Sequence, residues 1–135
     1  MLVFNLDQNR FTPSLLYCLE DKLLHFNVLN KPEKSYIPEK RLKNHKEDFF
    51  LSPMFTPSAV LQRHPKTTIF CGERDPMIDD CVRFGIELKK SGVRVEVNTL
   101  RWMSHAFLPL WKLPNSDCLR DVEEVFEMFY TCCQN

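Results

Sequence analysis

The sequence predicts an α/β fold in which parallel strands are flanked by helices. Residues 67–72 form a β-branched and aromatic run that is typical of a buried strand. In residues 93–99, valines alternate with polar side chains, as expected of a strand with one polar face. One helical pattern separates these two segments and another follows them. Such alternation implies a parallel sheet with right-handed crossovers.

The two helices of this second half have recognisable ends. We expect Asp79 to cap the first helix and Ser91-Gly92 to end it, because glycine commonly lies just past a helix C-terminus. We expect the second helix to begin at Ser116 or Asp117. Its predicted buried stripe, spaced at three and four residues, consists of Val122, Val125, Phe126 and Phe129.

The first half carries weaker signals. Residues 1–6 are a short apolar run, which favours a strand covered on both faces. Ser14 is predicted to cap a helix in which leucines recur at helical spacing, a pattern more typical of a core face than of an acyl pocket. We interpret the basic, proline-bearing residues 31–46 as a solvated linker face. An apolar turn region and a short helix over residues 58–62 complete this half.

Composition limits the classes of function. The chain has 135 residues, 44% hydrophobic and 27% charged, which is typical of a globular domain. Its 18 Lys and Arg residues balance 18 Asp and Glu residues, so no nucleic-acid partner is expected. The three glycines form no phosphate-binding loop, and none of them builds the G-x-S-x-G elbow of serine hydrolases.

The six cysteines show no C-x-x-C spacing, so we expect neither a zinc site nor a thioredoxin-type redox site. Adjacent Cys132 and Cys133 would be poor joint ligands for tetrahedral zinc. No metal or cofactor is expected. The start lacks a signal-peptide pattern, and no run of 18 apolar residues is present, so no transmembrane segment is expected. We therefore predict a reducing, cytoplasmic setting with free thiols.

Two polar residues follow the two predicted strands. Asp75 comes after residues 67–72, and His105 comes after residues 93–99. Functional residues of open parallel sheets lie at the carboxyl ends of strands, so this placement favours a shared site. The alternative is that Asp75 is a turn residue and His105 a solvated histidine. Asp79 and Asp80 fit a helix N-terminus, where the dipole favours acidic residues, better than a catalytic role.

Four segments stand out in order along the chain: Arg-Phe-Thr-Pro-Ser-Leu-Leu at 10–16, Phe-Phe-Leu-Ser-Pro-Met at 49–54, Phe-Cys-Gly-Glu-Arg-Asp-Pro-Met-Ile-Asp-Asp at 70–80 and Ser-His-Ala-Phe at 104–107. Together they resemble the hormone-sensitive-lipase branch of the α/β-hydrolases. The resemblance covers about residues 1–111. It implies the C-terminal portion of an α/β-hydrolase fold, as one partial domain. Residues 1–64 would form a strand plus cap and pocket helices, and residues 65–135 a β-α-β-α unit carrying acid and base.

The resemblance also implies roles for the two polar residues. His105 would be the general base and Asp75 the acid of a Ser-His-Asp triad in a carboxylic-ester hydrolase acting on a lipophilic acyl ester. The nucleophilic serine and the oxyanion loop would be missing from these 135 residues, so the chain alone is expected to be inactive. The histidine is commonly followed by glycine in this family, whereas here Ala106 follows it.

A different class of function stays open beside the enzyme. Residues 1–6 carry neither charge nor proline, and an exposed strand edge of this kind recruits another strand. The chain could then be a non-catalytic interaction module derived from a hydrolase. Its partner would be a second copy of itself or a separate N-terminal half of the hydrolase.

Overall fold

The computed structural model describes residues 11–19, 48–107 and 119–134. In chain order, its elements are α1 (Pro13–Tyr17), a 3-10 turn (Pro53–Phe55), α2 (Ser58–Leu61), β1 (Thr67–Arg74), α3 (Ile78–Lys90), β2 (Val95–Ser104) and α4 (Leu119–Gln134). The predicted strand at 1–6, the linker face at 31–46 and the predicted helix start at Ser116 or Asp117 lie outside the described residues.

The two strands form a parallel pair, as the sequence predicted, but both are longer than expected. β1 continues to Arg74 instead of ending at residue 72, and β2 continues to Ser104 instead of ending at residue 99. The pairing is regular from Thr67 opposite Val95 to Gly72 opposite Leu100, and it resumes with Arg74 opposite Ser104. Beyond Gly72, two residues of β1 therefore face four residues of β2, which makes a bulge in β2.

Helix α3 covers one face of the strand pair. Its residues Cys81, Phe84 and Leu88 are buried in one hydrophobic cluster with Ile69 and Cys71 of β1. Gly85 brings the helix close to the sheet, because a Cβ atom there would lie 2.6 Å from a methyl group of Val97. Ile69 and Cys71 are two positions apart, so they lie on the same face of β1, which is the face that α3 covers.

Helix α4 contributes to a second cluster, in which Val122 and Val125 are buried with Met103 and Phe107 and Phe70 packs at the edge. The stripe predicted for this helix is only half right. Phe126 and Phe129 are each 53% exposed, although the ring of Phe129 stacks on Phe70 at 5.6 Å.

The predicted helix caps were wrong at two N-termini and right at one C-terminus. Helix α1 is capped by Thr12, whose Oγ1 accepts from the Leu15 N–H at 3.2 Å, because Pro13 suits the first helical position and moves the start upstream of Ser14. Met77, not Asp79, stands at the N-cap of α3, and Asp79 lies within its first turn. Gly92 follows the Ser91 C-cap with φ of +84°, as predicted.

The short α2 forms as expected, with Pro57 before it and Leu61 buried. The leucine stripe after Ser14 does not form a core face within the described part of the chain. Leu16 and Leu19 are exposed, and Leu15 is half-buried. Helix α1 is short and lies at the surface near the start of α3, so only part of its circumference has a surface to cover.

Candidate active site

Asp75 lies in the turn that joins β1 to α3, directly after the strand. Its N–H donates to the Gly72 carbonyl at 3.1 Å, and its own carbonyl accepts from the Ile78 N–H at 3.0 Å. The carboxylate is also fixed, because Oδ1 accepts from the Met77 N–H at 2.8 Å. Asp75 therefore is a turn residue, as the simpler interpretation held, but the turn uses only one of its two carboxylate oxygens.

The second carboxylate oxygen meets His105. Nδ1 of the imidazole lies 2.8 Å from Oδ2 of Asp75, and both side chains are 12% exposed. This distance is within the reach of a working acid–base pair. The bulge in β2 explains the contact, because it sets Ser104 opposite Arg74 and so brings the next residue of each strand together.

The remaining ring nitrogen of His105 is buried. Nε2 has no hydrogen-bond partner within the described ranges. An unpaired buried polar atom costs about 1–3 kcal/mol, so a fold retains one mainly where a role requires it. With the Nδ1 proton donated to Asp75, Nε2 of the neutral imidazole is left as an acceptor. That tautomer follows from the hydrogen bond, since a carboxylate can only accept.

Two residues near His105, one on each side of it in the sequence, have strained backbone conformations. Trp102, in the bulge, and Ala106, directly after His105, have φ of +63° and +54°. A side chain in this left-handed region costs about 1–2 kcal/mol, and glycine avoids most of that cost. The strain at Ala106 gives a physical reason for the glycine that is common there in the hydrolases the sequence resembles.

Trp102 is exposed and held by charged neighbours. The backbone N–H of Trp102 donates to Oε2 of Glu73 at 3.1 Å. The guanidinium groups of Arg74 and Arg101 lie 4.7 and 5.5 Å from the centre of the Trp102 ring. Sequence inspection did not single out this group. These side chains lie in or opposite the bulge, at the same end of the sheet as His105. The strand register that places them there is known only from the structure.

His64, the other histidine within the described residues, lies away from this pair. His64 is exposed just before β1, where its Nδ1 lies 2.9 Å from Oγ1 of Thr67, at the strand end opposite to Asp75. His25 and His45 lie outside the described residues. Asp79, in the first turn of α3, contacts the start of α1, since its Oδ2 accepts from the Ser14 N–H at 2.8 Å. No sequence pattern predicted that contact between positions 65 residues apart.

Two buried thiols lie near the carboxylate, and one of them, Cys81, suits packing better than chemistry. Cys71 and Cys81 are both buried in the α3 cluster. A hydrogen bond between the two side chains, together with burial, raises the pKa of the Cys81 thiol well above its ordinary value. Cys81 therefore stays protonated, and a thiol in that state is a poor nucleophile.

Within residues 11–19, 48–107 and 119–134, no group of three or more His, Cys, Asp or Glu side chains could hold a metal ion. Cys71, Cys81, Cys132 and Cys133 are free thiols.

None of the described helices has the length and apolar character needed to cross a membrane.

Comparison with known proteins agrees with the fold. A family model described as the alpha/beta hydrolase fold matches residues 6–109. Hormone-sensitive lipase of Mus musculus is 33% identical over 61 residues, which are 45% of this chain and 8% of the lipase.

Solved esterases share the fold. Carboxyl esterase 2 from Tuber melanosporum has a TM-score of 0.76 at 18% identity, covering 94% of this chain and 39% of that one. A thermostable esterase from Pseudomonas putida ECU1011 has a TM-score of 0.77 at 19% identity, covering 91% and 36%. The esterase of Pyrobaculum calidifontis has a TM-score of 0.78 at 19% identity, covering 94% and 38%.

This chain therefore spans less than half the length of each of these relatives. Its parallel strands, the helices on their two faces and the family match over residues 6–109 agree with one another. The chain belongs to the α/β-hydrolase fold family and resembles its hormone-sensitive-lipase branch.

Proposed function

We propose that this chain contributes the acid and the base of a Ser-His-Asp triad, Asp75 and His105, to a carboxylic-ester hydrolase. The observation that carries the proposal is the 2.8 Å contact between Oδ2 of Asp75 and Nδ1 of His105, with Nε2 left as a buried acceptor. The esterases and the lipase that the chain resembles support the reaction class.

His105 acts as the base in this proposal. A serine hydroxyl is a weak nucleophile until a neighbouring group takes its proton. Nε2 takes that proton as the serine oxygen attacks the ester carbonyl, and it returns the proton to the leaving alcohol when the tetrahedral intermediate collapses. A second cycle with water as the nucleophile releases the acid and restores the serine.

Asp75 makes His105 competent for both proton transfers. Its Oδ2 holds the Nδ1 proton in place, so that Nε2 is the free acceptor, and its charge stabilises the imidazolium formed during attack. The hydrogen bond from the Met77 N–H to Oδ1 and the low exposure of the carboxylate keep Oδ2 directed at the imidazole ring. Charge-assisted hydrogen bonds of this kind are roughly twice as strong as neutral ones.

The serine and the oxyanion donors would come from residues outside these 135, because no G-x-S-x-G elbow occurs in them. The substrate class we propose is a lipophilic acyl ester, which would place the protein in lipid metabolism. We also propose a cytoplasmic location, in keeping with the free thiols of Cys71, Cys81, Cys132 and Cys133.

The test begins with the DNA upstream of the Met1 codon. We expect an open frame that encodes G-x-S-x-G, and the protein expressed from that frame should hydrolyse p-nitrophenyl butyrate. His105→Ala and Asp75→Asn should each lower kcat by about 10⁴-fold. His64→Ala is the matched control and should leave kcat unchanged, because His64 lies at the other end of β1. A stop codon without such a motif, or activity that survives His105→Ala, would contradict the proposal.

A second candidate is an interaction module that pairs through a strand edge. β1 bonds β2 along one edge, and within the described residues no strand pairs with its other edge. The apolar residues 1–6 could recruit a second copy of the chain or a separate N-terminal half of the hydrolase. Self-association of the purified chain would favour this function.

A further inference from the structure

The turn that carries Asp75 is braced from outside by the start of α1. Ser14 makes one hydrogen bond to this turn and one to the helix that follows it: its hydroxyl donates to the Pro76 carbonyl at 2.8 Å, and its N–H donates to Oδ2 of Asp79, in the first turn of α3, at 2.8 Å. The thiol of Cys18 adds a weaker contact of 3.6 Å to the Arg74 carbonyl. The contacts reach both sides of Asp75 in the sequence.

A relay of hydroxyl groups orients Ser14. Oγ1 of Thr12 lies 3.1 Å from Oγ of Ser14, and Oγ1 also accepts from the Leu15 N–H. Because the Ser14 proton is given to the Pro76 carbonyl, the hydrogen between the two hydroxyls must come from Thr12. The N-cap of α1 is therefore tied through one chain of hydrogen bonds to the residue after Asp75.

Asp79 is used differently from an ordinary first-turn acid. An acidic residue there usually interacts with the N–H groups of its own helix, yet α3 has no side-chain N-cap bond. The Asp79 carboxylate instead binds the N–H of Ser14, in a different helix. Helix dipole stabilisation alone would not require that partner.

We propose that Ser14 and Asp79 are positioning residues that hold the Asp75 turn so that Oδ2 stays aligned with His105. The inference rests on the proposed function of the Asp75–His105 pair. Both oxygens of Asp75 are committed, one to Met77 and one to His105, so a shift of the turn moves the carboxylate against the imidazole. A misplacement of about 1 Å in an active site can cost about 10²-fold in rate.

The test is proton NMR of the full chain with ¹⁵N-labelled histidine. The wild-type chain should show a low-field Nδ1–H resonance, assigned by its loss in His105→Gln. Asp79→Ala should abolish this resonance through solvent exchange, and Ser14→Ala should broaden it. Asp79→Asn should retain it, because the amide oxygen can still accept from the Ser14 N–H.

Ser91→Ala is the matched control. The Ser91 hydroxyl also bonds a different element, since it donates to Oγ of Ser58 in α2 at 3.5 Å. Ser91, however, follows the end of α3 that is far from Asp75. Thirteen helical residues span about 20 Å. Ser91→Ala should leave the resonance unchanged, while urea unfolding measures the stability of every variant.

The outcomes separate the two proposals. A resonance that Ser14→Ala and Asp79→Ala leave as in the wild type would overturn this inference, and Ser14→Ala decides alone if Asp79→Ala does not fold. Asp75→Ala tests the pair itself. If Asp75→Ala also leaves the resonance in place, the proposed function fails; if it removes the resonance while the Ser14 and Asp79 variants retain it, only the positioning role fails.

Discussion

Gly72 of β1 lies so close to Met103 of β2 that no side chain fits between the two backbones. A Cβ atom on Gly72 would overlap the Met103 carbonyl oxygen, and it would lie 2.8 Å from the Met103 carbonyl carbon. The approach occurs where β2 carries its bulge, between the pairs Gly72–Leu100 and Arg74–Ser104. This glycine therefore lets β2 fold over the end of β1 and bring His105 to Asp75.

Gly72→Ala should unfold the chain more readily and separate the acid from the base. The clash is with backbone, which cannot move aside as a flexible side chain can, so we expect a loss of about 1–3 kcal/mol in the free energy of unfolding. Urea denaturation measures the loss, and the His105 Nδ1–H resonance reports the contact. Gly92→Ala is the control: its Cβ would meet nothing within 4 Å, and only its φ of +84° opposes the change. Gly92→Ala should keep the resonance, and a Gly72→Ala chain that also keeps it would contradict the role given to this glycine.

Ala106→Gly should stabilise the chain slightly. Ala106 has φ of +54°, and relief of the strain, about 1–2 kcal/mol, outweighs the entropy that glycine costs, about 0.5–1 kcal/mol. We expect a gain of about 0.5–1 kcal/mol in urea unfolding. The same substitution at Ala59, which is exposed within α2, should lower stability by about 0.5–1 kcal/mol. Equal signs at the two positions would show that the backbone at Ala106 is unstrained.

The sequence predicted the elements and the meeting of Asp75 with His105, but not the details that position them. The regular spacing of hydrophobic residues was enough to predict β1, α3 and the buried face of α4 near Val122 and Val125. The bulge carries no such pattern, because its extra residues depend on the close approach of Gly72 to β2, a contact between segments far apart in the sequence. The N-caps of α1 and α3 were misplaced for two different reasons. Pro13 favours the first helical position of α1, a local signal that the prediction did not use, whereas the Asp79 carboxylate binds the distant Ser14 N–H and does not cap α3.

Phe126 and Phe129 show the limit of periodicity in another way. A helical stripe indicates which residues can share a face, but not how wide a neighbouring surface is. Within the described part of the chain, the strand pair offers α4 enough surface for Val122 and Val125, while the two phenylalanines stay half exposed.

The purified 135-residue chain should not hydrolyse p-nitrophenyl butyrate at an enzymatic rate. Acid and base without a serine elbow cannot form an acyl-enzyme, and each missing oxyanion donor is worth about 10²–10³ in rate. The measurement compares the release of p-nitrophenol by the chain with that by the His105→Ala variant. Equal, non-saturating rates are expected. Saturable turnover that His105→Ala abolishes would mean that this chain contains its own nucleophile.

The purified chain should self-associate as its concentration rises. The strand predicted for residues 1–6 bears no charge or proline that would repel another strand at its edge, and Asp7 is the first charged residue. Sedimentation velocity over a concentration series should show a shift from monomer to larger species, and Leu2→Lys should reverse it by placing a charge on the edge. Leu19→Lys is the control for added charge, because Leu19 is an exposed leucine just after α1 and should leave association unchanged. Addition of the elbow-bearing N-terminal part of the hydrolase should compete with self-association if both use the same edge. A monomer at every concentration, with Leu2→Lys behaving as the wild type, would show that this edge is covered by the chain itself and would remove the physical basis of the interaction module.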